Sequence, residues 1–374
     1  MIYLDNAATS FIKPQEVNKE FIKAAINNSI NAGRGGYNGG AKSNEILYSA
    51  RQSLATLFNI ENPERIAFCY NTTHALNLAI KGVLTYGDHV IITSMEHNSV
   101  LRPVKELEKT KRVSVSVLYA DENGEIDVNR LERLIKRNTK LICMTHSSNV
   151  CGNIFDIYKA SEIAKKHGVL FLVDAAQSAG VLDIDASKFD MVAFPGHKGI
   201  MAPMGTGGLF VREGLTLNTI IEGGTGSLSE SEWQPDIMPD RLESGTQNIP
   251  AIAGLGAAAK FITSAGTEKI KKYEDGLLNY FEERVRQMKN VTVYGGSKKT
   301  AICALNIKNR DCVEVAQILN DKYDIAVRSG LHCAILAHKT LGTEKTGLVR
   351  FSFGFFNTMS DVITAADAVF ELSK

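Results

Sequence analysis

The sequence predicts an α/β protein, with a large domain on a mostly parallel central sheet and a smaller α+β domain towards the C-terminal end. Three observations predict it. Short apolar runs of strand length alternate with amphipathic helical runs through most of the chain, the pattern of strand–helix–strand units and a parallel sheet. After Pro250 the texture changes to two long helical stretches, then short strands mixed with helices. And 374 residues are too many for one small core, so a division in two is natural.

The elements follow in order. Residues 43–58 read as an amphipathic helix, because Ile46, Leu47, Ala50, Leu54 and Leu57 recur at helical spacing. Residues 65–69 form a short apolar strand, followed at once by Asn71-Thr72-Thr73 and a helix over 75–83. Further strands are expected at 89–93, 113–117, 141–144, 169–173 and 191–194, with helices over 131–137 and 159–167 between them. Beyond Pro250 come an alanine- and glycine-rich helix over 251–263, a charged helix continuing it over 268–288, and strands at 291–294, 301–307, 326–328 and 348–352. The resulting division is an N-terminal segment over 1–15, a large domain over 16–250 and a small domain over 251–374.

Composition excludes several function classes. Hydrophobic content of 44% and charged content of 22% are those of a soluble globular protein. A net charge of +1 gives a nucleic-acid partner no electrostatic footing. The first residues lack a basic region followed by an apolar stretch, and no apolar run approaches the ~18 residues of a membrane span. The six cysteines are scattered without a C-x-x-C pair, so reduced thiols and a cytoplasmic location are expected. Cys143, His146 and Cys151 have irregular spacing and no fourth ligand, so no metal site is expected.

In open α/β sheets ligands sit beyond the carboxyl ends of the strands, which directs attention to polar residues following strand runs. Asp174 ends one such run and Gln177 lies three residues on. A helix cap explains an aspartate there equally well, but a carboxylate can also hold a heterocyclic nitrogen protonated. Lys198 follows the next strand by a Pro-Gly-His step, and an uncharged lysine can form a Schiff base. A solvated loop lysine is the commoner case; the order strand–Asp, strand–His–Lys raises the functional reading. Thr72 and Thr73 stand at a helix start, where N–H groups and hydroxyls can take a phosphate, and Thr246 in Glu243-Ser244-Gly245-Thr246 could add a hydroxyl. His97 could stack on a flat cofactor and move protons. Arg328 and Arg350 could each clamp a substrate carboxylate. Cys69, Cys143 and Cys303 lie inside apolar runs, as buried thiols do, whereas Cys333 follows Arg328, Gly330 and His332, and basic neighbours favour a thiolate. The glycines at 33, 35, 36, 39 and 40 follow no strand, so a flexible active-site loop is expected there rather than a dinucleotide fingerprint.

Together these residues resemble the cysteine desulfurases and selenocysteine lyases of the class V aminotransferase group, which are fold-type I pyridoxal phosphate enzymes. The resemblance runs nearly end to end. It rests on Tyr3-Leu4-Asp5-Asn6-Ala7-Ala8-Thr9, Asn71-Thr72-Thr73, Met95-Glu96-His97-Asn98, His146-Ser147-Ser148-Asn149-Val150 and Val173-Asp174-Ala175-Ala176-Gln177-Ser178. It continues through Gly196-His197-Lys198, Glu243-Ser244-Gly245-Thr246, Arg328-Ser329-Gly330-Leu331-His332-Cys333-Ala334 and Val349-Arg350-Phe351-Ser352. The resemblance implies pyridoxal 5'-phosphate as cofactor, with Lys198 as its Schiff-base lysine, Asp174 on the ring nitrogen, Gln177 on the phenolic oxygen and His97 stacked on the ring. It implies Thr73 and His197 at the phosphate, with Thr72 beside them and Thr246 reaching the phosphate from a second subunit. Asn149, Arg350 and Arg328 would position the substrate, and Cys333 would accept its sulfur.

The implied reaction converts L-cysteine to L-alanine, with a persulfide on Cys333 passed to a sulfur acceptor. The alternatives within the group are a selenocysteine lyase or another lyase, epimerase or aminotransferase. A homodimer with its site at the interface and the N-terminal segment packed near site and small domain is implied too. Pro195 and Leu331 depart from the group, standing where many relatives have a phosphate-binding serine and a second histidine.

Overall fold

The computed structural model describes residues 1–32 and 38–374. The chain begins with a two-residue strand β1 (Ile2–Tyr3) and helices α1 (Gln15–Asn27) and α2 (Asn38–Leu57). Gly39 and Gly40, expected in a loop, lie in the first turn of α2, while Gly33, Gly35 and Gly36 fall outside the described residues. Then come β2 (Ile66–Cys69), α3 (Thr72–Val83), β3 (His89–Thr93), α4 (Asn98–Lys111), β4 (Ser114–Leu118), β5 (Thr139–Thr145), α5 (Ile157–Lys166), β6 (Leu170–Asp174), β7 (Met191–Pro195) and β8 (Gly207–Val211).

Strands β2 to β8 form one seven-stranded sheet in the order β2-β8-β7-β6-β5-β3-β4. β4, β3, β5, β6 and β7 run parallel; β8 is antiparallel to both of its neighbours. Both faces are covered, which is why the strands read as continuous apolar runs. Alternate residues nonetheless separate: Ile91, Ile142, Phe171 and Val192 enter the core shared with α2, α5 and α6 (Ile249–Ala265). Val90, Leu141, Leu172 and Met191 enter the core under α3 and α4.

β8 escaped the sequence reading because Gly207 and Gly208 resemble a turn. A Cβ at Gly208 would sit 2.4 Å from the Phe194 ring, so the glycine permits close packing on β7 instead. The helix expected over 131–137 is a 3₁₀ segment, Val128–Leu134, capped by Asp127. The long helical stretch after Pro250 is two helices, α6 and α7 (Thr267–Arg286), broken at Gly266 (φ +86°) and bent by 81°. α6 packs into the large-sheet core through Ile249, Ile252, Leu255, Ala258 and Ala259, and Gly256 lets it approach Ala50 of α2.

The small domain adds β9 (Val291–Tyr294), β10 (Ile302–Ile307), α8 (Cys312–Tyr323), β11 (Ile325–Ala326), β12 (Arg328–Gly330), α9 (Ile335–Thr340), β13 (Leu348–Ser352) and α10 (Met359–Leu372). Its antiparallel sheet has the order β12-β13-β10-β9 over a core that includes Phe281 of α7 and Val369 of α10. The single strand expected over 326–328 is divided: β11 pairs parallel with β1, and β12 pairs with β13. The N-terminal segment therefore belongs to the small-domain side, and Ala7 and Ser10 then carry it back to the large domain through Gln177 and His197. No single helix among the described residues is long and apolar enough to cross a membrane.

Candidate active site

The parallel strands end on one edge of the large sheet, and the loops that follow them floor a cavity of about 200 Å³. Thr72, Thr73, His97, Asn149, Asp174, Gln177, His197, Lys198, Arg328 and Arg350 all line it. Ten residues spread over 279 positions of sequence (72 to 350) thus converge on one space.

The floor is built from backbone. Asp174 is the last residue of β6, paired in register with Thr145 of β5. Its Oδ1 accepts the Ala176 N–H at 2.9 Å. Burial raises its pKa, opposed by that N–H and by Lys198. Lys198 follows β7 by three residues. Burial brings its ammonium down to about 8; Asp174 works the other way, while Arg350 and Arg328 lower it further. A lysine in this range has an accessible neutral form at physiological pH, as a carbonyl-capturing amine needs.

His97 caps α4, and its Nδ1 accepts the Ser99 N–H at 3.0 Å. Ser99 Oγ lies 2.9 Å from the same nitrogen and 2.8 Å from Thr73 Oγ1. With Nδ1 an acceptor, the proton of the neutral ring belongs on Nε2. The ring is neutral because burial, then Lys198, brings it down to about 4. His197 is likewise held at about 4, by burial and then Lys198, and its carbonyl accepts the Ser10 N–H at 2.9 Å. His197 Nδ1 is buried without a partner. Asn71 caps α3 by accepting the His74 N–H at 2.9 Å, which leaves Thr72 and Thr73 in the helix's first turn at the cavity.

The opposite wall comes from the small domain. Arg350, on β13, is 1% exposed and donates from Nη1 to Asn149 O and from Nη2 to Asp5 Oδ1, both at 2.7 Å. Its Nε is buried and unpartnered. Asn149 Nδ2 donates to His332 O at 2.7 Å, so this residue joins the two walls. Cys333 is exposed, unlike the other five cysteines, which are buried. It does not line the cavity but follows His332, which does, and its Sγ is 3.6 Å from Arg328 Nη2.

Thr246, unlike Cys333, is not even adjacent in sequence to a cavity-lining residue. It is exposed, in a separate cleft with Arg51, Thr225 and Ser227. Leu331 is 39% exposed, and neither it nor Pro195 lines the cavity. Sequence reasoning missed Ser99, Thr145, Ser147 and the Asp5 carboxylate. Thr145 and Ser147 follow a strand run and were open to the strand-end rule; Asp5 joins the site only through a contact 345 residues long in sequence.

The family model of the class-V aminotransferases matches residues 2–364. A probable cysteine desulfurase of Methanothermobacter thermautotrophicus is 34% identical over all of this chain and 94% of its own length. A cysteine desulfurase of Pectobacterium carotovorum is 31% identical over 97% of this chain and 90% of its own. Among solved structures, the apo cysteine desulfurase of Thermococcus onnurineus superposes with a TM-score of 0.93 at 32% identity, covering 99% of this chain and 94% of that one. Likeness of sequence and of fold thus both run the length of the chain, and the protein is a member of the class-V aminotransferase family, among relatives named cysteine desulfurases.

Proposed function

We propose that the protein is a pyridoxal 5'-phosphate-dependent cysteine desulfurase, converting L-cysteine to L-alanine and leaving the sulfur as a persulfide on Cys333. The observation that carries this reading is the Lys198–Asp174 pair on the cavity floor facing a small-domain wall that continues into an exposed thiol. Lyases and transaminases need the pair; a thiol held beside an arginine at the site suits attack on sulfur.

The residues present fit the cofactor. His197 Nδ1 is a buried polar atom awaiting a partner, and α3 opens on the cavity with two hydroxyls in its first turn, while the buried, unpartnered Arg350 Nε is left for the substrate. Thr72, Thr73 and His197 would hold the phosphate, Asp174 the ring nitrogen, Gln177 the phenolic oxygen, and Lys198 the carbonyl carbon. When bound, the group supplies a cationic ring that withdraws electrons from bonds at the substrate's α-carbon. Lys198 Nζ moves the α-proton, and neutral His97, with its proton on Nε2, stands by to donate or return one. Arg350, with Asn149 and Arg328, orients the substrate carboxylate. Cys333 Sγ then attacks the substrate sulfur. An S–S bond forms as the Cβ–S bond breaks, and the electron pair of the broken bond stays with the carbon fragment, which collects protons and leaves as alanine.

A homodimer is part of the proposal, because Thr246 stands outside its own chain's cavity and is exposed, free to meet a second subunit's phosphate. Six free thiols suit a reducing compartment, and we place the protein in the cytoplasm, passing its sulfur to an acceptor there.

The test is alanine release from L-cysteine with a reductant, comparing wild type with Cys333→Ala. Alanine from the wild type alone supports the reading. Equal alanine from both defeats the persulfide step, and turnover of selenocysteine but not cysteine would replace the substrate.

A further inference from the structure

Three buried side chains behind the cysteine loop have no part in the reaction described above. His332 is 3% exposed, His338 of α9 is 0% and Thr343 is 1%. The imidazole rings stack with centroids 5.5 Å apart and planes 12° from parallel. His332 Nε2 lies 3.4 Å from Arg328 O, His332 Nδ1 lies 3.4 Å from His338 Nε2, and His338 Nδ1 lies 2.8 Å from Thr343 Oγ1.

One end of this row sets its direction. A carbonyl oxygen can only accept, so His332 Nε2–H donates to Arg328 O. Burial keeps both rings neutral, which leaves His332 Nδ1 as an acceptor for His338 Nε2–H. His338 Nδ1 in turn accepts the Thr343 hydroxyl. The bonds therefore run one way, from Thr343 through both rings to the backbone of β12.

The loop needs such an anchor. His332 (φ 48°) and Cys333 (φ 56°) are consecutive left-handed residues, after Gly330 at φ 101°. Neither has glycine's freedom, so the conformation persists only where surrounding contacts impose it. Asn98 N–H, donating to Cys333 O at 2.7 Å, and Asn149, donating to His332 O, hold the carbonyls. The histidine row holds the side chain between them.

We infer that His338 and Thr343 are positioning residues for Cys333: their hydrogen-bonded row fixes His332 against the Arg328 carbonyl, and thereby the turn that sets Cys333 Sγ beside the Arg328 guanidinium. Its importance for sulfur transfer rests on Cys333 being the sulfur acceptor, but the turn itself can be tested without turnover.

Cys333 is the one exposed thiol, so its alkylation by iodoacetamide in the holoenzyme, followed by mass spectrometry, reports its setting directly. His338→Leu keeps bulk and removes the donor; His338→Gln keeps an amide N–H near the Nε2 position; Thr343→Val removes the hydroxyl and keeps the shape. We expect the alkylation rate at neutral pH to change at least about threefold in His338→Leu and in Thr343→Val, because the turn no longer fixes the direction and access of Cys333 Sγ, and to return to within about twofold of wild type in His338→Gln. Bound-cofactor absorbance should be the same in all. Equal rates in the leucine and glutamine variants would show that the site needs only volume, and would overturn the inference. Should His338→Leu fail to fold, Thr343→Val against His338→Gln makes the same comparison, and equal rates there overturn it too. A wild type that makes no alanine would remove the functional reading while leaving this comparison of rates intact.

Discussion

The two walls of the cavity are built by different means. On the large-domain side, Asp174 and Lys198 hang from adjacent parallel strands whose register is set by backbone hydrogen bonds. On the small-domain side, Arg350 is fixed by Asp5 and Asn149, and the cysteine loop by Asn149, Asn98 and the buried histidines. A sheet ladder places its strand ends whatever the side chains nearby. A left-handed turn held by side-chain contacts depends on each of them. Under the function proposed above the difference suits a division of labour, since a cofactor wants a rigid cradle whereas a sulfur carrier must also meet an acceptor.

The largest effect should come from the rigid wall. Lys198→Ala is expected to lose alanine formation by a factor of about 10⁴ or more and to remove the absorbance of the lysine-bound cofactor. Retained absorbance would mean that the floor lysine is another one. Cys333→Ala separates the walls: cofactor absorbance and exchange of the substrate α-proton with deuterium should persist, while alanine falls about 10³-fold. Loss of α-proton exchange in that variant would mean that the thiol also serves the floor.

Arg350→Lys tests the residue that touches both sides. Loss of the planar guanidinium should cost about 2 kcal/mol, or roughly thirtyfold in kcat/KM, carried mainly by KM. A change confined to kcat would argue against a carboxylate clamp.

The smallest effect lies beneath the floor. Glu96 is fully buried, accepts from Thr93 Oγ1 at 2.7 Å and Thr145 N at 3.0 Å, and has an unpartnered Oε2. Burial pushes its pKa up to about 8 against those two bonds, with Asp174 adding to the rise. Glu274 is raised to about 8 by burial as well. Both are then protonated in the folded protein and ionised in the unfolded chain from about pH 4.5 to about pH 8. Their contribution to stability is present below that window and is lost as pH rises to its upper end. Buried histidines held near 4, such as His89 and His146, have the opposite slope, but only below their unfolded value of 6.5. Thermal melting should therefore fall from pH 6.5 to 8, and Glu96→Gln should flatten that fall by about 1.4 kcal/mol per pH unit. An unchanged slope would show that Glu96 is ionised in the folded state.

The contrast between the walls also explains what was legible. Fold class and most strands of the large sheet follow from apolar runs of strand length, because parallel strands buried on both faces leave that trace. The strand-end rule then picks out Asp174, Lys198 and His97. It is blind to β8, whose glycines serve the Phe194 ring, and to the break at Gly266, where one helical pattern continues across two helices.

By itself, then, the sequence determined the α/β architecture and singled out Asp174, Lys198 and Cys333 as candidates, since these depend on local periodicity and on residue chemistry beside a strand. Tertiary structure alone decided that Asp5 pairs with Arg350 at 2.7 Å and that His338 and Thr343 stand behind Cys333. Asp5 and Arg350 meet across 345 residues, an approach that no short window of sequence encodes, while the histidine row joins residues five and six apart whose bonding depends on how the turn folds and not on any periodic pattern.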